Sequence, residues 1–534
     1  MTAFADLTAM RRRAVDGLRE NGMETGFRQL LADLYPDNAH FIYELLQNAE
    51  DAGAREVIFD LRSDGLRVEH NGPRMFDLED IASITSIGQS TKADDAVAIG
   101  KFGVGFKAVF AYTQRPVIHS GNNSFAIVDL FVPTPVDQER QPGRTTFWFP
   151  FDRPDKPTQL ACEQVERALR EISQSTLLFL NHITMISCSF PDGDERLIER
   201  KDISGSAKVI SIESVHSGEE PSYWYRIAGD VRVDGTAHQV AVAFALTKGE
   251  TIKRTIRPIE GQVFIYFPAV SEVSGLQFHI HAPFASTVAR DGVRDDAGNG
   301  ALVEGIAEVV ASELPLMREA GLITDGLLEA LPNDGDTLKQ RYLPVRDAVL
   351  SAFETQPITP VAGGRTFAQS RLLIRSVSQV RAALDPTDVL SLRTITDGEA
   401  EVTGWLQERS GGRAQDFLDS VTAIEFGRNE LAEVLERVRG IQEEVDLYDD
   451  EPEEYIDVND RTDLDIWDAW IEGLSNDKLR RFYAALGRLA EERAANPYGP
   501  TDARRWHWSD PLPEPLAEVR LIRVRSGEGV AHVR

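Results

Sequence analysis

Two hydrophobic periods alternate along the chain. Residues 4 to 20 read as an exposed helix, and Phe27, Leu30, Leu31 and Leu34 give a second, amphipathic one that stops before Pro36. Asp37 or Asn38 can cap a third, which runs to about Ala52 and ends at Gly53. The period then shortens to two. Glu56 to Leu61 and Leu66 to Glu69 read as strands joined by Ser63-Asp64-Gly65, a hairpin signal. Helical spacing returns from Asp77 to Ile87. The polar, aperiodic stretch Gly88 to Asp95 (GQSTKADD) follows, and a glycine-rich turn begins at Gly100. Phe106 to Tyr112 continues as helix, and strand-like runs lie at Val117 to Ser120, Ser124 to Val132 and Thr145 to Phe149.

A helix near Thr158 to Ile172 opens a region rich in strands. These are Ile183 to Phe190, Ala207 to Ile212, Tyr223 to Ile227, Gln239 to Leu246, Val263 to Phe267 and Leu276 to Ile280. Hairpins without repeated strand–helix–strand units predict an antiparallel or mixed sheet with helices on one face, an α+β fold. Leu302, Ile306, Val309, Val310 and Leu314 begin a helical region. Beyond the Gly363-Gly364 turn the chain is mixed and then mostly helical, with Leu479, Phe482, Leu486 and Leu489 on a late amphipathic helix. Glu443 to Asp460 is the most acidic run and reads as a solvated linker. Trp467, Trp470, Trp506 and Trp508 read as small-core packing, and Val519 to Val524 stands as a lone strand. At 534 residues the chain exceeds one core. The expected division is an α/β domain over residues 1–155, a second α/β domain over 156–300, and a mainly helical region over 301–534.

Charge narrows the class of partner. A formal net charge of −29 opposes non-specific binding to nucleic acid or anionic membranes, so direct nucleic-acid binding is not expected. Cys162 and Cys188 lie outside any CxxC spacing and read as reduced thiols. No apolar run reaches the roughly 20 residues of a membrane span. Arg11, Arg12 and Arg13 are followed by no apolar signal segment. The expectation is a soluble, cytoplasmic protein.

Two short runs carry candidate chemistry. In ELLQNAEDAGA, Glu44, Asn48 and Asp51 point within a sector of roughly 60° on a helix. A carboxylate beside bound phosphate can orient and deprotonate water. An asparagine oxygen suits magnesium, a hard cation that keeps several waters. The alternative is a polar helix face turned to solvent. In IGKFGVGFKAVF, Gly100, Gly103 and Gly105 permit positive φ and close backbone approach around Phe102 and Val104. The helix that follows, from Phe106, offers free N–H groups to phosphate oxygens. The order is not that of a Rossmann fingerprint, and the Gly-Lys-Ser/Thr ending of a P-loop is absent. Ser90, Thr91 and Lys92 lie in the polar stretch that can close over a ligand, and Lys92 and Lys107 are candidates for phosphate contacts.

In this order, with His70-Asn71-Gly72 between them, the two runs resemble the Bergerat-fold, or GHKL, ATPases. That superfamily includes DNA gyrase B, the 90-kilodalton heat-shock chaperone, histidine kinases and MutL. The E-x-x-x-N-x-x-D-A box is matched by Glu44, Asn48, Asp51 and Ala52. The G-x-x-G-x-G-[FL] box is matched by Gly100, Gly103, Gly105 and Phe106, and the threonine of a late strand by Thr145. The family's D-x-G-x-G, whose Asp accepts the adenine amino proton, is replaced by His70-Asn71-Gly72-Pro73-Arg74. A neutral imidazole retains one lone-pair nitrogen for that bond. A tight-turn role for His70 is the alternative. The His-Asn pair and the later I-G-Q-S-T-K are similar to the sacsin branch. There the segment Gly261 to Arg290 looks like the stretch of the second, transducer-like domain that sends a basic residue toward the γ-phosphate, which nominates Arg290. A surface ion pair is the alternative for that arginine.

The resemblance implies a two-layer α/β sandwich holding ATP and Mg2+, with Asn48 on the metal and Glu44 as base. It further implies slow hydrolysis and closure of the Ser86 to Ile99 segment, coupled to a homodimer or larger assembly and an unknown protein client. The output would be chaperone-like or that of a subunit in a multi-protein machine, bacterial antiviral defence included. Three rivals stand beside it: an ATP-gated interaction module without turnover, a histidine kinase, and a DNA-directed machine working through a partner nuclease or helicase. The first 36 residues contain no phospho-acceptor histidine, which opposes the kinase.

Overall fold

The structure is a computed structural model that describes residues 2–23, 40–86, 105–137, 143–203, 208–215, 218–248, 254–287, 292–397, 401–447, 458–495, 522–526 and 529–533. The helix expected near Phe27 to Leu34, and Trp506 and Trp508, lie outside these residues. The chain divides into two compact units, Met1–Val349 and Leu350–Arg534.

In the first unit, β1 (Glu56–Arg62) and β2 (Gly65–His70) form the expected hairpin. Val57, Phe59 and Leu61 alternate inward, opposite His70, Val68 and Leu66. Then come β3 (Val117–Ser120), β4 (Asn123–Val128), β5 (Val132–Pro135) and β6 (Thr145–Pro150). The single strand expected over Ser124 to Val132 is broken into β4 and β5. Asp129 and Leu130 turn the chain there at φ 53° and 68° without a glycine. The strand-rich region supplies β7 (Met185–Ser189), β8 (Glu195–Asp202), β9 (Val209–Val215), β10 (Ser222–Val233), β11 (Thr236–Ala245), β12 (Gln262–Ile265), β13 (Phe267–Val273) and β14 (His279–His281). Among the described residues all of them join one sheet, in the order β13-β12-β14-β11-β10-β9-β8-β7-β1-β2-β6-β3-β4-β5. The β1–β7 and β12–β14 pairs are parallel and the others antiparallel. The sheet is therefore mixed, and it passes without a break through the β1–β7 pair.

One face of the β1–β2–β6 region is apolar and carries helices. Helix α1 (Thr2–Glu20) lies along β5, with the Thr8 hydroxyl donating to the Pro133 carbonyl at 2.8 Å. It covers an edge strand that its own two prolines already blunt. Helix α2 (His40–Asp51) buries Phe41, Ile42, Leu45, Leu46 and Ala49. The Phe41 ring meets Tyr112 at 5.2 Å and Phe149 of β6 at 6.3 Å. Helix α3 (Leu78–Ile84) is shorter than expected and starts in a capping box of Asp77 and Asp80. Helix α4 (Thr158–Arg170) packs on β1. The opposite face of these strands carries ion pairs: Arg67 with Glu69 at 2.5 Å and Arg144 with Glu56 at 2.9 Å. With that polarity the region is a sandwich of a sheet and one helical layer, its other face turned to water. Helix α5 (Ala297–Glu319) covers β10 and β11.

In the second unit, the short strands Gly404–Trp405, Leu373–Arg375 and Ile424–Glu425 are parallel. Helices Pro386–Asp397, Arg428–Leu447, Val458–Gly473 and Asn476–Ala495 enclose Trp467, Trp470 and Phe482, so these two tryptophans are core residues. The expected acidic linker is helical up to Leu447. The terminal strand is not alone: Ile522–Ser526 pairs with Gly529–Val533 as a hairpin.

Candidate functional site

The polar side of α2 faces away from its core stripe. Glu44 is only 6% exposed, and Asn48 and Asp51, on successive turns, are half-buried. Beside α2 runs a 3₁₀ helix, Gly105–Ala111, in place of the regular helix expected there. Gly105 is the last glycine of the turn. Phe106 is buried against Phe147 and Phe149, each ring 6.2 Å away. Gly100, Phe102, Gly103, Val104, Ser90, Thr91, Lys92 and Arg290 lie outside the described residues.

The end of β2 is held close to the end of α2. Helix α2 stops at Gly53, φ 72°, a conformation that disfavours a side chain. A Cβ on Gly72 would come within 2.8 Å of both the Cβ and the carbonyl oxygen of Ala52. Glycine at 72 is what allows the two backbones to approach. Asn71, expected among the nucleotide ligands, has a different role. Its Oδ1 accepts from the Arg55 and Glu56 amides at 2.9 and 3.0 Å, fixing the entry into β1.

His70 and Thr145 are directly opposite in the β2–β6 register and share the helix-bearing face. The Thr145 and Ser120 hydroxyls bond each other at 2.7 Å, and both point at the Met75 sulfur, at 3.6 and 3.5 Å. Ser120 also accepts from the Phe76 amide at 3.0 Å. His70 accepts the Gly72 N–H on Nδ1 at 3.2 Å, and burial lowers its pKa to about 4, so the ring is neutral. The lone pair expected to meet an adenine amino group is thus already used inside the protein.

Lys107 is also placed differently from expectation. Its ammonium donates to the carbonyls of Ile84 at 2.5 Å and Leu130 at 3.0 Å, and lies 4.9 Å from the Phe131 ring centre. Burial, and then the charge of Arg11, lowers its pKa to about 7. Those bonds hold the end of α3 against the β4–β5 turn and are not available to a phosphate.

The structure therefore gathers Glu44, Asn48, Asp51, Ala52, His70, Gly72, Phe106 and Thr145 around α2, β2, β6 and the 3₁₀ helix. Sequence reasoning missed Met75 and Ser120, which line the same region, and Glu50. The buried Glu50 carboxylate accepts from the backbone amides of Asn181, His182 and Ile183 at 2.6, 2.9 and 2.9 Å. Those residues are distant in sequence, so no local pattern marks it. Among the described residues no group of three or more His, Cys, Asp or Glu side chains forms a metal site. Magnesium with a triphosphate needs only one or two protein ligands. A half-buried Asn48 carboxamide one turn from Glu44 fits that requirement. No described helix is long and apolar enough to cross a membrane.

This helix-backed mixed sheet, with Glu44, Asn48 and Asp51 on α2, is sacsin-like. Residues 23–133 match the family model of the Sacsin domain. The chain is similar to Protein NO VEIN of Arabidopsis thaliana, 29% identical over 301 residues, covering 50% of this chain and 11% of that protein. It is also similar to Sacsin of Homo sapiens, 32% identical over 147 residues, covering 22% of this chain and 3% of that protein. The chain thus spans only a small fraction of either relative. Among solved structures, the B-subunit of DNA gyrase from Myxococcus xanthus matches at 12% identity and a TM-score of 0.34, covering 62% of this chain and 99% of that one. The N-terminal domain of a DNA repair protein matches at 13% identity and a TM-score of 0.28, covering 48% and 87%.

Proposed function

We propose that the N-terminal region, residues 1–155, binds a purine nucleoside triphosphate with Mg2+, ATP by family resemblance, and hydrolyses it slowly. The observation that carries this reading is the near-complete burial of Glu44 on α2, next to the helix that begins at Gly105. Glu44 orients the attacking water and accepts its proton. Asn48 holds the metal, which when bound neutralises charge on the phosphate oxygens. The start of the 3₁₀ helix gives N–H groups to those oxygens. Thr145, Met75 and His70 form the wall against which the base rests.

The Glu50 contact to residues 181–183 supports a switch role. A nucleotide that prefers one position of α2 also selects the position of the segment it holds, in residues 156–300. The output is movement within a homodimer or larger protein assembly. In the test, Glu44→Gln abolishes phosphate release while Mg-ATP still binds in a calorimetric titration, and Asn48→Ala weakens binding in a magnesium-dependent manner. Hydrolysis that survives Glu44→Gln removes Glu44 as the base.

A further inference from the structure

The short parallel strands of the second unit end at a cavity of their own. The central strand, Leu373–Arg375, comes first in the chain, and Gly404–Trp405 and Ile424–Glu425 flank it on opposite sides. From the central strand the chain passes through the helices Ser378–Ala383 and Pro386–Asp397 to one neighbour, then crosses to the other through Arg413–Ser420. A parallel sheet whose strand order reverses in this way opens a crevice outside the carboxyl ends of its strands, and ligands of such sheets bind there. The cavity lies at that end. It is lined by Arg375, which closes the central strand, by Leu406, Glu408 and Arg409, which follow the outer strand, and by Gln415 and Asp419 on the crossing helix. Its volume is about 190 Å3. That is more than an ordered water needs, and less than the roughly 300–1,000 Å3 of sites for drug-sized molecules. The occupant it suits is smaller than a nucleotide.

The polar groups around this cavity are held in place. Arg375 pairs with Glu425 through Nη1, and its Nη2 donates to the Leu418 and Val421 carbonyls at 2.7 and 2.8 Å, yet its side chain stays 24% exposed. Glu408 pairs at 2.5 Å with Arg381, whose guanidinium lies 5.4 Å from the Trp405 ring centre. Gln415 accepts the Arg409 amide at 2.6 Å and donates to Asp419 at 2.8 Å, which ties the loop to the helix. Two guanidinium groups and two carboxylates thus line one cavity, with no excess charge of either sign. Such a lining favours neither a polyanion nor a simple cation. It complements a small molecule that carries both charges, and Leu406 adds an apolar surface. We propose that the cavity binds a free α-amino acid, its carboxylate toward Arg375 and Arg409 and its ammonium toward Glu408 and Asp419. Guanidinium–carboxylate bonds are the strong, directional part of that recognition. All six lining residues belong to the second unit, so the proposal stands apart from the nucleotide reading.

The test is calorimetric titration of the full chain with each standard amino acid, then with the N-acetyl and amide forms of the one that binds best. At least one free amino acid should bind with a Kd of about 1 mM or tighter. Removing its ammonium or its carboxylate charge should weaken binding by about tenfold or more, the effect of losing a charged hydrogen-bond partner. Asp419→Asn keeps an oxygen for Gln415 and loses the charge. It should weaken the same amino acid by about fivefold or more with an unchanged unfolding midpoint. The derivatives probe the same charge pairing without any variant. The proposal is overturned if no amino acid binds at about 10 mM, if the N-acetyl or amide form binds as well as the free one, or if a folded Asp419→Asn keeps the wild-type Kd. Tighter binding of succinate or inorganic phosphate than of any amino acid also overturns it, and marks a simple anion site instead.

Discussion

Glu50→Ala should release the segment that leads into β7. In the native structure one buried carboxylate satisfies three consecutive amides, those of Asn181, His182 and Ile183, at 2.6 to 2.9 Å. Bonds to a charged acceptor are worth about 1.5–3 kcal/mol each, but three on one group do not add. Removing one side of a buried charged network costs roughly 3–5 kcal/mol. Arg200 and Arg226 add to the loss, because Glu50 offsets some of the burial that lowers both their pKa values. Hydrogen–deuterium exchange over a peptide spanning 178–186 reads the effect locally, without assuming that the whole chain unfolds in one step. A loss of roughly 3–5 kcal/mol corresponds to exchange faster by about 100-fold or more. Glu50→Gln, which keeps one acceptor oxygen, should fall between. Exchange within about threefold of wild type in Glu50→Ala would mean that the three amides are held by something other than this carboxylate.

Three further outcomes follow from the same geometry. Burial lowers the pKa of His70 and His279 to about 4 and of His281 to about 3. Each binds its proton more readily unfolded, near pH 6.5, so their stabilisation is complete above that pH and is lost as pH falls toward 4. Each then contributes up to about 1.4 kcal/mol per pH unit. The urea midpoint of the first unit should drop steeply between pH 6.5 and 5, and a flat profile there contradicts the buried neutral rings. Gly72→Ala forces a Cβ to within 2.8 Å of Ala52 and should destabilise by about 1–3 kcal/mol in the same titration. Lys107→Met removes two donors from the Ile84 and Leu130 carbonyls and should cost about 1–3 kcal/mol of stability. Nucleotide affinity should change little. A large loss of affinity at unchanged stability would place the ammonium on a phosphate.

The features that are legible in the sequence are those whose partners lie close by. The β1–β2 hairpin follows from a two-residue period and an Asp-Gly turn, and Glu44, Asn48 and Asp51 follow from helical spacing. Lys107 reads as a phosphate ligand because its partners, Ile84 and Leu130, are 23 residues away on either side. Asn71 misleads because a carboxamide that locks a strand entry looks, in sequence, like one that binds a ligand. Strand β8 escapes its sequence pattern because it turns Arg196 inward with Ile198. Its Nη1 donates to the Arg170 carbonyl at 2.7 Å, at the end of α4. The break between β4 and β5 is hidden because non-glycine residues adopt positive φ there.

Helix α2 belongs to two circuits at once. Glu44 is the base of the proposed nucleotide site, and Glu50, on a different face, holds residues 181–183. Those residues run directly into β7, which pairs in parallel with β1, and β1 is the strand that follows α2. The loop of contacts closes on itself: helix, strand, neighbouring strand, and back to the helix through a carboxylate. A rigid closed loop of this kind does not let α2 shift alone. Any ligand that draws the Glu44 side toward the Gly105 helix must either break the three amide bonds or carry β7 with it. The intact bonds are the lower-energy course, since breaking them is the roughly 3–5 kcal/mol event described for Glu50→Ala. Movement of the strand-rich region is therefore the expected consequence of occupancy, and in a chain lacking the Glu50 carboxylate the same ligand should bind without moving it.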